Sequence, residues 1–197
     1  MLIQKTNTPY YEQLKEASEL KQAGQHAEAI KICQAVLYDD LDCAEAYEEI
    51  GDNYLSIRDF ESAIKALKKA IDLNKESANA HYLLGFAFSC TNNWKESIKH
   101  LEEANKLEKN HPEILRCLGW SIFHGDNELH GLVVLERAKN LAPNDCFILT
   151  DMGVCYLTMK KFQKAKTIFE QIIKIQPENQ KAVECLQACS YFEKKSK

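Results

Sequence analysis

Glycine, proline and tryptophan are scarce in this chain of 197 residues, which contains 7 Gly, 4 Pro and 2 Trp. So few helix breakers favour an all-α protein over one built from strands and tight turns. No apolar run approaches the about 18 residues that a membrane span needs. The opening MLIQKTNTPYY also lacks the apolar stretch of a secretory signal. We therefore expect a cytoplasmic protein with no membrane insertion.

Motifs for catalysis, metal binding or phosphate binding are also missing. The sequence has no CxxC or HExxH spacing, no glycine-rich phosphate loop and no pattern of an activated nucleophile. Its eight cysteines fall at helical positions without paired spacing, so we expect reduced thiols that serve in packing. His124, Cys90 and Cys117 raise the question of a metal site. The sequence therefore disfavours a metal protein or an enzyme, and we expect no catalytic residue, metal or cofactor.

Charge of one sign does not dominate the sequence. The formal net charge is −4, which argues against a general nucleic-acid binder. The charges are unevenly placed, however. Acidic residues outnumber basic ones by four in residues 10–43, whereas basic residues are two in excess in residues 146–179 and again in residues 180–197.

A period of 34 residues organises most of the chain. One column of small residues recurs at this spacing, and a second column is larger and apolar. The small column is Ala17, Gly51, Gly85, Gly119 and Gly153, and the apolar column is Cys33, Leu67, Leu101, Leu135 and Phe169. Such a period, without insertions or deletions, is typical of a helix-turn-helix solenoid.

Each repeat predicts two helices that meet at a small residue. In residues 44–77, Tyr47, Ile50 and Tyr54 share one face of a first helix, and Ala63 and Leu67 share one face of a second. Glycine costs about 1 kcal/mol relative to alanine inside a helix, so a column of four glycines needs a packing reason. Close contact between the two helices of each hairpin supplies that reason.

The repeats resemble the tetratricopeptide repeat, whose motif combines aromatic or leucine positions with small residues and a closing proline. Two repeats carry the resemblance most fully, with His81, Leu84, Gly85, Phe88, Trp94, Ser97, Leu101 and Ala104 in one, and Leu149, Met152, Gly153, Tyr156, Phe162, Ala165, Phe169 and Pro177 in the other. Lys75 and Lys109 depart from the closing proline, and Glu128 departs from the hinge aromatic. We expect the hinge at residues 125–131 to be the loosest.

The resemblance implies an all-α, right-handed superhelical solenoid of five helical hairpins with a C-terminal capping helix. The expected domain covers residues 10–193, after an N-terminal extension at residues 1–9. Its repeats are residues 10–43, 44–77, 78–111, 112–145 and 146–179. A capping helix at residues 180–193 follows, since Gln187 replaces the small residue there, and residues 194–197 form a tail.

The resemblance also implies a protein–protein interaction module, which acts as an adaptor, assembly scaffold or chaperone. Such proteins bind a peptide along a concave groove lined by the first helices. The positions that should line this groove are Tyr82, Phe86, Arg116, Trp120, Phe123, Phe147, Val154 and Leu157. An acidic lip at Glu45, Glu48 and Asp52 precedes an aromatic floor at Tyr82, Phe86, Trp120 and Phe123.

Two alternatives remain open at this point. Superhelical curvature could bury the aromatic rings as core, or the rings could bind an apolar or amphipathic segment of a partner protein. Separately, acidic early repeats and a basic C-terminal region are compatible with weak self-association through heterologous end contacts. The segment Met1-Leu2-Ile3 is a candidate for an apolar part of that contact.

Overall fold

The computed structural model describes residues 9–125 and 127–195, and all regular secondary structure in these residues is α-helical. The segment Met1-Leu2-Ile3 therefore lies outside the described residues. Eleven helices follow one another along the described chain: α1 Tyr11–Gln22, α2 His26–Asp39, α3 Ala44–Ser56, α4 Phe60–Leu73, α5 Ala78–Cys90, α6 Trp94–Leu107, α7 Pro112–Gly125, α8 Glu128–Leu141, α9 Cys146–Thr158, α10 Phe162–Ile175 and α11 Gln180–Lys195.

The helices form two compact units, with the division between Leu107 and Glu108. The first unit contains the hairpins α1–α2, α3–α4 and α5–α6. The second contains α7–α8, α9–α10 and the single helix α11. These five hairpins and the final helix agree with the predicted fold class. Helix α11 continues to Lys195, so Lys194 and Lys195 are helical where a tail was expected. The predicted repeat and domain bounds remain predictions.

The turns inside the hairpins repeat one backbone conformation. Gly24, Arg58, Asn92 and Lys160 all have φ between 58° and 76°, and they are spaced by multiples of 34 residues. This left-handed conformation reverses the chain in few residues but suits glycine best. The next helix then begins at a polar cap in several cases. Asp59 accepts a hydrogen bond from the Ser62 backbone nitrogen at 3.1 Å, for example.

The glycine column lies where the two helices of each hairpin meet. A Cβ atom on Gly51 would lie 2.5 Å from Cγ of Leu67, and one on Gly85 would lie 2.6 Å from Cγ of Leu101. These distances are shorter than any ordinary contact, so the predicted close approach is confirmed. The closest backbone approach joins α7 and α8, where a Cβ on Gly131 would lie 2.5 Å from the backbone nitrogen of Phe123. The expectation that the hinge at residues 125–131 is the loosest of the hairpin hinges remains a prediction.

The buried side chains form clusters within each unit. In the first unit, one cluster spans α1 to α4 and includes Cys33 and Ala46, and another spans α3 to α5 and includes Leu67 and Leu84. In the second unit, one cluster lies around Leu135 and Met152. Another joins α9, α10 and α11 around Phe169. These cores fix the orientation of the first helices, which carry the candidate binding residues.

Candidate protein-binding surface

Helix α5 presents two aromatic rings of the predicted groove. Tyr82 and Phe86 are half-buried, and their ring centroids are 6.5 Å apart in a stacked arrangement. Both pack against the cluster that includes Leu83 and Leu84. Each ring therefore has one part packed against the core and one part open to solvent.

Phe123 does not belong to the surface, contrary to the prediction. Its side chain is only 4% exposed and packs with Leu115, Leu132 and Met152 in the core of the second unit. Trp120, one turn earlier on α7, is half-buried at the edge of the same cluster. Its ring centroid lies 4.2 Å from that of His124. Of the two α7 aromatic residues, only Trp120 retains accessible surface for a ligand.

Arg116 is the cation of the predicted groove, and it is already paired. Its guanidinium contacts Asp151 Oδ2 at 2.7 Å and Glu113 Oε1 at 2.5 Å, and its side chain is only 15% exposed. Burial alone would lower the pKa of Arg116, but the hydrogen bond to Glu113 and the nearby charges raise it above its usual value. Burial raises the pKa of Asp151, which Arg116 partly offsets. Arg116 is therefore a fixed cation that joins α7 to α9.

Phe147 is the most exposed apolar residue among the predicted groove positions. It is 73% exposed in the first turn of α9, and its ring centroid lies 6.0 Å from the guanidinium carbon of Arg116. Asp145 Oδ1 accepts hydrogen bonds from the backbone nitrogens of Phe147 and Ile148, at 2.8 and 3.1 Å. The N-terminal cap therefore fixes the backbone that carries the exposed ring.

The remaining apolar groove positions lie further along α9. Val154 and Leu157 are half-buried, and both contact the cluster that includes Ala182 and Cys189 of α11. This cluster thus covers part of each side chain. What remains accessible extends the apolar surface of α9 beyond Phe147.

Two of the three carboxylates of the predicted acidic lip form hydrogen bonds or ion pairs inside the first unit. Glu48 accepts hydrogen bonds from Ser77 Oγ at 2.6 Å and from Asn79. Burial raises the pKa of Glu48, and these two bonds lower it in part. Asp52 pairs with Lys21 at 2.5 Å. Glu45 alone of the three predicted residues is exposed, so two of the three carboxylates join successive hairpins rather than facing a ligand.

The residues that sequence reasoning missed are partners contributed by other helices. Lys21 of α1 contacts both Asp52 and Glu49 of α3, at 2.5 and 2.9 Å, and Asp151 of α9 holds Arg116 of α7. The spacing of residues in the sequence does not predict these ion pairs, because they depend on the packing of adjacent hairpins. Their only signal is opposite charge at neighbouring positions of successive repeats.

The eight cysteines all lie among the described residues and are free thiols. Burial raises the pKa of Cys33 and of Cys155 to about 12, so these two thiols stay protonated and are poor nucleophiles at neutral pH. Within the described residues, no three His, Cys, Asp or Glu side chains come together as a metal-binding group. In the same part of the chain, no helix combines the length and apolarity that crossing a membrane requires.

Comparisons with known proteins agree with this architecture. Residues 51–89 match a family model described as a TPR repeat, and residues 148–179 match one described as a tetratricopeptide repeat. No curated protein matches the chain significantly.

Solved structures share the fold at low sequence identity. One is YrrB, described as "a TPR protein with an unusual peptide-binding site", which is 20% identical over 89% of this chain and 90% of its own, with a TM-score of 0.70. TTC0263 of Thermus thermophilus is 12% identical over 92% and 98%, with a TM-score of 0.76. MamA of Desulfovibrio magneticus RS-1 is 14% identical over 85% and 95%, with a TM-score of 0.74.

The fold and the surface thus define an all-α protein of repeated helical hairpins, a class that generally serves protein–protein interaction rather than catalysis. The recurrent glycine contacts, the two family matches and the structural neighbours identify it further. The chain contains tetratricopeptide repeats, matched at residues 51–89 and 148–179, and has the fold of solved tetratricopeptide-repeat proteins.

Proposed function

We propose that this protein is a cytoplasmic adaptor, assembly scaffold or chaperone that binds an apolar or amphipathic segment of another protein. The proposed contact surface lies in the second unit, at Trp120, Phe147, Val154 and Leu157. Tyr82 and Phe86 form a separate candidate surface in the first unit. The tetratricopeptide-repeat fold supports the general part of the proposal. The exposed ring of Phe147 supports the specific part.

Phe147 carries the argument because the fold does not require it. The equivalent positions of the other repeats and of α11 hold Tyr11, Glu45, Asn79, Glu113 and Lys181, so an aromatic ring recurs only at Tyr11 of the first repeat. A phenyl ring that is 73% exposed at such a position gains nothing from the core. Full burial of a phenylalanine side chain contributes about 1.5–3 kcal/mol, so a partner that covers this ring gains a large part of that free energy.

The surroundings of Phe147 favour a partner with both apolar and polar groups. Arg116 is held beside the ring by two carboxylates, so it needs no further counter-ion from a ligand. A ligand residue that packs on Phe147 would meet an apolar ring bordered by satisfied charges. Exposed aromatic rings beside an arginine are the composition that interface hot spots favour. An amphipathic helix or an extended apolar peptide has the matching chemistry.

Selection from a random peptide library displayed on phage tests the proposal. The selected peptides are synthesised, and their affinities for the wild type, Phe147→Ser and Trp120→Ala are measured by calorimetry. We expect peptides rich in apolar residues and a loss of about 30-fold in affinity for Phe147→Ser, equivalent to about 2 kcal/mol. Leu129→Ser is the matched control, because Leu129 is also an exposed apolar residue but lies on a second helix.

Circular dichroism of each variant separates loss of binding from loss of fold. Phe147→Ser should keep the helical spectrum, since the ring lies outside the core. Peptides that bind Phe147→Ser as tightly as the wild type would overturn the proposed site. Failure to select any peptide with micromolar or better affinity would overturn peptide binding itself.

A further inference from the structure

Helix α11 has the place of a first helix in the repeat. Ala182 and Cys189 are buried against α9 and α10, and the equivalent Ile148 and Cys155 of α9 are likewise buried against α7 and α8 of the preceding hairpin. In the five preceding hairpins, the other side of the first helix is covered by the second helix. Among the described residues, no helix follows α11 to cover that side.

Gln187 lies on the uncovered side of α11. Its equivalents Gly51, Gly85, Gly119 and Gly153 are buried, whereas Gln187 is exposed. A shallow cavity of ≈ 440 Å³ lies on this side and is lined by Leu186, Gln187, Ser190, Tyr191 and Lys194. We call these five residues the open face.

Gln187 limits what can cover the open face. At the equivalent glycines, a Cβ atom would already lie 2.5–2.8 Å from the covering leucine or phenylalanine side chain. A helix packed as closely as those second helices therefore cannot fit over a glutamine. Side chains that protrude from a loop can reach the cavity without such a close backbone approach, and they are the better match.

The last turn of α2 and its connection to α3 together have two protruding side chains of this kind. Tyr38 is 90% exposed and Leu41 is 68% exposed. The repeat does not require apolar residues at these positions. The equivalents of Tyr38 are Asp72, Lys106, Asn140 and Lys174, and those of Leu41 are Lys75, Lys109, Pro143 and Pro177. We call residues 38–42 the acidic loop, because Asp39, Asp40 and Asp42 surround the two apolar residues.

The charges of the two surfaces are complementary. Asp39, Asp40 and Asp42 form no ion pair within the part of the chain that the structure describes. Asp40 accepts a hydrogen bond from the backbone nitrogen of Asp42 at 3.0 Å, which holds the loop. Lys194 of the open face and the adjacent Lys195 are exposed, and Lys195 Nζ lies 4.7 Å from the ring centroid of Tyr191.

We propose that the acidic loop of one copy of this chain docks on the open face of a second copy. Tyr38 and Leu41 enter the cavity beside Leu186 and Tyr191, and the loop carboxylates face Lys194 and Lys195. The contact joins two different patches, so it is heterologous and leads to a ring or an open chain of copies. Few side chains take part, so the contact is weak, with a Kd on the order of 0.1–1 mM.

Sedimentation equilibrium over a concentration series tests the proposal. The average mass of the wild type should rise with concentration and fall again at high salt, because exposed charges are screened over about 8 Å at physiological ionic strength. Tyr38→Ser and Tyr191→Ser should each keep the mass of one chain throughout. Both side chains are largely exposed, so circular dichroism should show folded variants. Leu129→Ser, exposed but in neither patch, should associate as the wild type does.

A mixture of the two variants distinguishes this contact from a symmetric one. Tyr38→Ser keeps an intact open face, and Tyr191→Ser keeps an intact acidic loop. An equal mixture should therefore form a dimer and nothing larger, although neither variant associates alone. A wild type that keeps the mass of one chain at millimolar concentration would overturn the proposal, as would a mixture that stays monomeric. If the open face bound a different acidic segment instead, the wild type would also remain monomeric.

Discussion

Individual glycines set how closely the helices of each hairpin approach, and their neighbours decide what a substitution costs. At Gly85 an added Cβ meets the side chain of Leu101, but at Gly131 it meets the backbone of Phe123 and the carbonyl oxygen of Gly119, at 2.5 and 2.6 Å. A side chain can shift to another rotamer, whereas a helix backbone cannot. We therefore expect Gly131→Ala to destabilise more than Gly85→Ala does.

The expected loss is about 3 kcal/mol for Gly131→Ala and about 1–2 kcal/mol for Gly85→Ala, within the usual range for overpacking. Gly85→Leu should exceed Gly85→Ala because it adds three more carbons to the same contact. Urea unfolding followed by circular dichroism gives the free energies. Equal unfolding midpoints for Gly131→Ala and the wild type would contradict the close approach of α7 and α8.

Two histidines make the first unit sensitive to acid. The Nδ1 atoms of His81 and His100 are 3.1 Å apart, and His81 Nε2 is 3.3 Å from the carbonyl oxygen of Lys75. Because a carbonyl only accepts, His81 Nε2 carries the proton and His100 Nδ1 donates to His81. Burial lowers the pKa of both residues, and the pKa of His100 falls to about 4.

The sign of the pH effect follows from these lowered pKa values. The unfolded chain binds protons near the ordinary histidine pKa of about 6.5, before the folded chain does. The contribution of this pair to stability should therefore be constant above that pH and be lost progressively as the pH drops from about 6.5 towards about 4. Urea midpoints across this range measure the loss. His100→Asn should flatten the dependence, and the exposed His130→Asn should leave it unchanged. An equally steep dependence in His100→Asn would rule out the pair as its cause.

The sequence predicts the close contacts at the glycine column but not the burial of Phe123. The glycine column predicted a close contact because only a steric demand explains a poor helix former at one repeated position, and the structure confirms it. The position of Phe123, three residues after Trp120, predicts that its ring lies on the same face of α7 and therefore on the surface. Its ring nevertheless turns into the core around Met152. Residue spacing predicts which face of a helix a side chain occupies. The packing of neighbouring side chains decides whether a residue at the edge of that face is buried.

Between helices, ion pairs connect successive hairpins, and Arg116–Asp151 is the most enclosed. The side chains are 15% and 18% exposed. Removal of one partner leaves the other charge in a poor environment, which costs about 3–5 kcal/mol for a buried pair. We expect Arg116→Met to lose most of that amount and Asp151→Leu to lose less, because Glu113 still pairs with Arg116, and we expect the double variant to recover part of the larger loss. Urea unfolding of the four proteins forms the double-mutant cycle.

Additive losses in that cycle would show that the two residues act independently. The contrast with the helices themselves is informative. The periodicity of apolar and small residues was sufficient to predict the five hairpins, because each helix must bury one face. The pairing of Arg116 with Asp151 depends on how α7 and α9 are placed by the intervening α8. Long polar side chains of different hairpins can form an ion pair only where helix packing brings them together.

At the scale of the whole chain, the single unbroken period of 34 residues and the two compact units lead to different expectations. The period predicts one continuous array, in which each repeat depends on its neighbours. The buried clusters described above each lie inside one unit, however: two within residues 14–88 and two within residues 115–189. We therefore expect residues 1–107 and residues 108–197 to fold as separate fragments, each with a cooperative urea transition.

The second fragment should depend on α11. Ala182 and Cys189 of that helix are buried against Leu149, Phe169 and Ile172, so a fragment that ends at residue 179 exposes part of this cluster to water. Circular dichroism should show lost helix and a lower urea midpoint in residues 108–179 than in residues 108–197. If residues 1–107 or 108–197 were unfolded alone while the full chain is folded, the array would act as one cooperative domain, because neither half could then hold its core without the other.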